Sequence, residues 1–236
     1  MQIFAHRGAS AHAPENTLLA IKIALEQGVD GIEIDVHQIE QELVVIHDRW
    51  VHRTTNGHGQ LANLSFAQIR TFDAGQGEQV PTLWEVMALI GGKCRLNIEV
   101  KGLKDKTLLI TQLLKAEAEL GFDLEQFIVS SFDHHLISQI KTLNTNIKIG
   151  ALTASKPINY AAFAAQLDAF SVNADIAFLD EAFVQDAHQR GLQVYVYTVD
   201  EPEDLKMLYS WKVDGVFCNK PGAAKTYIKS LNSQLR

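Results

Sequence analysis

The chain has two cysteines in 236 residues, Cys94 and Cys218, and they are isolated and far apart. That pattern supplies neither a disulfide framework nor a CxxC metal site, and leaves buried thiols as the simpler reading. Positive charge is also in short supply: Lys and Arg total 21 against 28 Asp and Glu, a formal net charge of −7. Wholesale binding to nucleic acid or to an anionic membrane needs the opposite balance, so neither is expected, although a local basic pocket is compatible with it. No run of about 18 apolar residues occurs, which argues against stable membrane insertion. The opening Met1-Gln2-Ile3-Phe4-Ala5-His6-Arg7-Gly8 lacks the basic segment and long apolar stretch of a secretory signal and reads as a strand, which points to the cytoplasm. A dinucleotide loop is missing too. The turn His6-Arg7-Gly8-Ala9 cradles no pyrophosphate, and the fragments at 57–59 and 75–77 lack both the remaining glycines and a strand-to-helix setting.

What is present is an alternation. Short β-branched runs fall at residues 2–5, 31–36, 95–100, 127–131, 147–152, 169–172, 193–198 and 215–217. Segments with apolar spacing of three and four separate them, at 17–27, 106–120, 134–143, 158–166, 180–190 and 202–210. Gly28, Gly121 and Gly191 sit just past helical runs, where a left-handed residue is wanted. A hydrophobic fraction of 47% and a charged fraction of 21% are ordinary for a globular protein and leave ample material for a core. Repeated βα units in a chain close to the ~250 residues of a one-domain barrel predict an α/β fold, a (β/α)8 TIM barrel spanning 1–236 as one domain. Residues 43–47 form an extra strand expected to hairpin with the second barrel strand. Residues 48–80, with glycines at 57, 59, 75 and 77, form a small insertion after it.

In such a barrel the chemistry comes from the carboxyl ends of the strands. The first strand ends in His6-Arg7, the second contains Glu33 and Asp35, the extra strand ends in His47-Asp48, and the third barrel strand contains Glu99 and Lys101. Glu33 and Asp35 are two apart and so share a side of the sheet, as do Glu99 and Lys101. Three carboxylates converging in a barrel mouth need a cation, because an unpaired buried carboxylate is prohibitively costly. Oxygen ligands without cysteine favour Mg²⁺ or Ca²⁺, with Mn²⁺ or Zn²⁺ still open; the simpler alternative is ion pairing with Arg7 or Lys101. His6 and His47 can divide proton acceptance and donation near neutral pH, while Arg7 offers a bidentate fork and Lys101 a point charge to phosphate oxygens. His12, His37, His52, His58, His134, His135 and His188 read as surface or helix-end residues without a catalytic role. Asn16-Thr17 opens the first helix as a cap, with Glu15 a candidate to orient a metal-bound water or Arg7, and Pro81-Thr82 opens another helix.

These residues also carry a family resemblance over nearly the whole chain. His6-Arg7-Gly8, Pro14-Glu15-Asn16-Thr17, Glu33-Ile34-Asp35-Val36, His47-Asp48, Thr55-Asn56-Gly57, Pro81-Thr82-Leu83-Trp84-Glu85, Glu99-Val100-Lys101 and Ser131-Phe132 occur in the order seen in glycerophosphodiester phosphodiesterases, which the chain resembles. The resemblance implies a (β/α)8 barrel with an insertion after the second strand, and hydrolysis of glycerophosphodiesters to glycerol 3-phosphate and an alcohol. It implies His6 and His47 as the acid–base pair, Glu33, Asp35 and Glu99 as ligands of Ca²⁺ or Mg²⁺, and Arg7 and Lys101 on the phosphate. In the mechanism usually proposed for the family, the glycerol 2-hydroxyl attacks phosphorus and water opens the cyclic intermediate. Phe132 and Tyr197 are candidates for the apolar wall of the glycerol or alcohol pocket, with simple packing beneath the loops the alternative.

The chain departs from the family pattern at Tyr197-Thr198-Val199-Asp200, at Cys218-Asn219-Lys220-Pro221 and at the turn Glu40-Gln41-Glu42. None of these departures is expected to touch a candidate ligand or proton carrier, so they bear on substrate preference. The expected partner is a small-molecule substrate, and a homo-oligomer is left open. Two other functions fit less well. A lysophospholipase D would need an apolar patch at the mouth, for which Leu61, Leu64, Phe66, Ile69 and Phe72 are the candidates. A catalytically inert phosphate-ester-binding barrel would be expected to have lost a histidine or carboxylate, and none is missing.

Overall fold

In the computed structural model, which describes residues 1–234, the chain runs β1 (Gln2–His6), α1 (Leu18–Glu26), β2 (Gly31–Ile39), β3 (Glu42–Val45), α2 (Phe66–Ile69), α3 (Leu83–Ile90), β4 (Arg95–Gly102), α4 (Lys106–Glu119), β5 (Phe127–Ser131) and α5 (His134–Leu143). It continues through β6 (Lys148–Thr153), α6 (Ala162–Gln166), β7 (Ser171–Asp175), α7 (Glu181–Gln189), β8 (Gln193–Tyr197), α8 (Pro202–Ser210), β9 (Gly215–Cys218) and α9 (Pro221–Gln234). β1 pairs in parallel with both β2 and β9, so eight parallel strands close into a barrel, and β3 joins β2 antiparallel at its rim. The predicted TIM barrel is therefore what forms.

Strand alternation sorts the side chains into two environments. Outward residues such as Ile3, Ala5, Ile32, Ile34, Leu96 and Ile98 are buried against the ring of helices. Inward residues build layers along the barrel axis. Phe4, Ile128, Tyr195 and Phe217 form an aromatic plug, with the Phe4 ring 5.2 Å from Tyr195 and 5.3 Å from Phe217. Gly31 makes room for that plug, since a Cβ there would lie 2.3 Å from the Phe4 ring. Beyond the plug come hydrogen-bonded polar pairs, Asn97 Nδ2 donating to Ser130 Oγ (2.9 Å) and Ser171 Oγ donating to Asn173 Oδ1 (2.8 Å). The plug closes one end with apolar bulk, so the polar groups have only the other end open to water.

Several expectations are adjusted. β7 lies later than 169–172 and runs to Asp175, which turns Asn173 and Asp175 into the barrel. The helix expected at 158–166 covers only Ala162–Gln166, and Ile158 projects 98% exposed. α9 was not expected at all; Pro221 starts it, and Ala224 and Ile228 are buried. His37 is no surface histidine: it lies buried on β2, and its Nε2 is 3.2 Å from the His47 carbonyl oxygen. Thr82 does cap α3, in a reciprocal box with Glu85. Both cysteines are buried, and burial pushes the Cys94 thiol up to about 12.

The insertion after β3 is largely irregular and closes over its own small core of Ile39, Val44, Ile46, Val51, Leu61, Ile69, Ala74 and Val80, with Leu64, Phe66 and Phe72 packed against it. The apolar side chains proposed above as a membrane-facing patch thus point into the insertion. Among the described residues no helix is long and apolar enough to cross a membrane.

Gly31→Ala should destabilise the barrel by ~2 kcal/mol, because Phe4 is hemmed in by two rings and has nowhere to retreat. An unchanged thermal unfolding midpoint would contradict this packing.

Candidate active site

The strand ends at the open mouth bring the candidate residues together. One ligand atom from each of Glu33, Asp35 and Glu99 lies within 4.8 Å of the others. The registers that align His6 with Glu33 and Asp35 with Glu99 produce this convergence. Lys101 Nζ sits 2.5 Å from Glu99 and 3.3 Å from Asp35, and Arg7 Nε 3.1 Å from Asp35. The backbone N–H of Arg7 donates to Glu33 Oε2 at 2.9 Å, from a residue held at φ 58°. Even so, Glu33 Oε1 is buried with no donor, and Asp35 Oδ1 and Glu99 Oε1 have only the one Lys101 ammonium between them. An orphaned oxygen on Glu33 beside two carboxylate oxygens that share a single lysine is what a divalent cation would satisfy, and a set without sulfur or nitrogen suits a hard ion. The residues present therefore fit such an ion.

The electrostatics agree. Burial, then the neighbouring Asp35 and Glu99, holds Glu33 well above the usual carboxyl range, and burial together with Asp35 pushes Glu99 up to about 7. Asp35 goes the other way: against the penalty of burial, Lys101 and Arg7 hold it below its ordinary value. Asn16, read in the sequence as a helix cap, does something else. Its side chain donates to Asp35 Oδ2 (2.9 Å) and accepts from the Asp35 backbone N–H (3.3 Å), while Thr17 alone caps α1.

Each histidine has an orienting partner. His6 Nδ1 lies 2.9 Å from Asn219 Oδ1, and Asn219 Nδ2 donates to Asp200 Oδ2 at 2.6 Å. Asp200 fixes which way the amide faces, so its oxygen accepts from His6 Nδ1 and leaves His6 Nε2 without a proton in the neutral ring. Burial, then Arg7, lowers the His6 pKa and favours that neutral form. The sequence reading placed the segments holding Asp200 and Asn219 away from every proton carrier; the structure corrects this, with Asn219 bonded directly to His6. His47 Nδ1 meets Asp48 Oδ1 at 2.5 Å, and Arg53 bridges Asp48 to Glu15, 2.7 Å from Glu15 Oε1. Glu15 in turn accepts from Arg7 Nη1 at 2.8 Å. Arg53 went unnoticed in the sequence because nothing marks an arginine in an irregular segment until its partners are in place.

These groups border a cavity of about 550 Å³ lined by His6, Arg7, Glu33, His47, Glu99 and Lys101 on one side and by Phe132, Tyr197, Asn173 and Asp175 on another. The Phe132 and Tyr197 rings meet edge to face at 6.2 Å and 87°. A deeply set anion site with two imidazoles beside it can bind a phosphate and move protons on and off its ester oxygens.

Comparison with known proteins accords with that chemistry. Residues 6–223 match the model of the glycerophosphoryl diester phosphodiesterase family. A glycerophosphodiester phosphodiesterase of Caldanaerobacter subterraneus subsp. tengcongensis is 37% identical over 235 residues, covering 93% of this chain and 94% of that protein. A phosphodiesterase of Oleispira antarctica, solved in complex with the product sn-glycerol-3-phosphate, superposes with a TM-score of 0.88 at 28% identity, covering 97% of each chain. A glycerophosphodiester phosphodiesterase from Agrobacterium tumefaciens gives a TM-score of 0.80 at 25% identity, covering 94% of this chain and 97% of that one.

The raised carboxyls predict a pH-dependent response to metal. Glu33 and Glu99 keep protons in the ion-free fold above the 4.5 of the unfolded carboxyl, Glu99 to about 7, so the ion-free protein loses stability as pH rises through that window. A cation that replaces those protons binds more tightly once they are gone. Adding Mg²⁺, Ca²⁺ or Mn²⁺ should therefore raise the unfolding midpoint more at pH 8 than at pH 6. Equal shifts, or none, would contradict the assignment.

Proposed function

The chain belongs to the glycerophosphoryl diester phosphodiesterase family, and from that premise we propose that it acts as one domain to hydrolyse glycerophosphodiesters to glycerol 3-phosphate and an alcohol, with His6 and His47 as proton carriers. The observation that carries this reading is the meeting of three converging, under-neutralised carboxylates with two oriented imidazoles beside one cavity. Glu33, Asp35 and Glu99 would hold Mg²⁺ or Ca²⁺, or Mn²⁺ in their place, and the bound ion supplies fixed positive charge against the phosphoryl oxygens.

The protein's own residues have separable tasks. Arg7 and Lys101 hold the phosphate, and Lys101, 5.9 Å from the Phe132 ring, stands between the charged and aromatic sides of the cavity. Phe132 and Tyr197 line the carbon face of the glycerol. His6 Nε2, unprotonated because Asn219 accepts the Nδ1 proton, takes the proton of the attacking hydroxyl as its oxygen bonds to phosphorus. His47 gives a proton to the departing alcohol oxygen as the other P–O bond breaks, and Asp48 offsets the charge while the ring carries both protons. If the attacking group is the glycerol 2-hydroxyl, the two rings exchange roles when water opens the cyclic diester.

His6→Ala and His47→Ala should each lower kcat for glycerol 3-phosphate release from glycerophosphocholine by ~10²- to 10⁴-fold, while divalent cations still raise the unfolding midpoint. Full activity in the double variant would refute the acid–base assignment. Parallel assays on lysophosphatidylcholine separate this reading from a lysophospholipase D, and activity undiminished in excess chelator would defeat the metal assignment.

A further inference from the structure

The reactive cavity has a neighbour. A second hollow of about 720 Å³ lies between His47 and Lys101 on one side and Arg49, Trp50 and His52 on the other. It continues past His37 and Arg49 into a groove of about 220 Å³ edged by Lys104. His47 and Lys101 border both the hollow and the first cavity, so the two spaces meet at the proton donor to the leaving alcohol and at one of the two phosphate-holding cations. In a chain of net charge −7, this path is basic. Among the described residues Asp48 is the one acidic group along it, and its carboxylate is already taken up by Arg53 and His47. The ion pairs of the region run through Arg7, Arg53 and Lys101; among the described residues none engages Arg49 or Lys104.

A phosphodiester has two ester arms, and the two spaces differ in what they accept. The first, with Phe132 and Tyr197 beside Asn173 and Asp175, suits an uncharged polyol and repels a further anion through Asp175. The second offers free positive charge and no free carboxylate. We propose that the preferred leaving alcohol carries a second phosphate, bound in this groove by Arg49 and Lys104. The inference rests on the phosphodiesterase reading above and narrows it to diesters whose alcohol is itself anionic.

Two substrates that differ by one group test it: glycerophosphoglycerol, and the same diester with a phosphate monoester on its leaving glycerol. The wild-type protein, loaded with metal, should favour the phosphorylated diester by ~10-fold or more in kcat/KM at low ionic strength. The preference should narrow in roughly 0.5 M salt. Arg49→Gln with Lys104→Gln should remove most of that preference while turnover of the plain diester stays within about twofold, which also reports that the variant is folded. Turnover of both diesters with no preference, or a preference that survives the double substitution, would overturn the groove assignment. Turnover of neither would instead overturn the phosphodiesterase reading on which it rests.

Discussion

Everything at the mouth of this barrel follows from one electrostatic constraint: three carboxylates share a space where each has an oxygen within 4.8 Å of the others, and among the described residues two cationic side chains, Arg7 and Lys101, pair with them. Arg7 is divided between Asp35 and Glu15, and Lys101 between Asp35 and Glu99, so the charge falls short. That leaves Glu33 and Glu99 to hold protons or to accept a divalent ion, and their elevated pKa values express the same imbalance. The repulsion is sustained because the scaffold is rigid. Glu33 and Asp35 are interior positions of a strand hydrogen-bonded on both sides, and Glu99 lies in register beside Asp35.

The surroundings hold that arrangement without neutralising it. Asn16 grips Asp35 by side chain and backbone at once, Arg7 gives Glu33 a backbone donor, and the Glu15–Arg53–Asp48 chain ties the first βα loop to the loop carrying His47. Opposite, the Asp200–Asn219 pair performs for His6 the office that Asp48 performs for His47. Each partner satisfies one atom and leaves the one that would face a phosphate or a metal ion open. Below them the aromatic plug and the Asn97–Ser130 and Ser171–Asn173 pairs separate the site from the far end of the barrel.

Much of this was legible in the sequence because it is local. The βα alternation, the two-residue spacing of Glu33 and Asp35, and the polar residues ending apolar strands all depend on neighbours along the chain, and apart from β7 and α6 the elements appear close to where the periodicity places them. What escaped notice is non-local. His6 and Asn219 are 213 residues apart in sequence, and only barrel closure through the β1–β9 pairing makes them neighbours. Asn16 resembles a cap because capping a helix and holding a carboxylate use the same amide; with φ at 60° its side chain meets Asp35 instead. β7 was cut short at its polar end because polarity usually marks a loop, whereas inside this barrel Asn173 and Asp175 line a cavity. Arg49 and Lys104 carry no motif, and their common groove appears only once β3 lies against β2.

The central claim is that Glu33, Asp35 and Glu99 form one cation site, and crystals grown with Mn²⁺ and examined by anomalous scattering test it most directly. The account predicts a single strong peak within coordination distance of Glu33 Oε1, Asp35 Oδ1 and Glu99 Oε1. An empty triad with Lys101 still paired to Glu99, or a manganese ion bound elsewhere in the barrel, would contradict it.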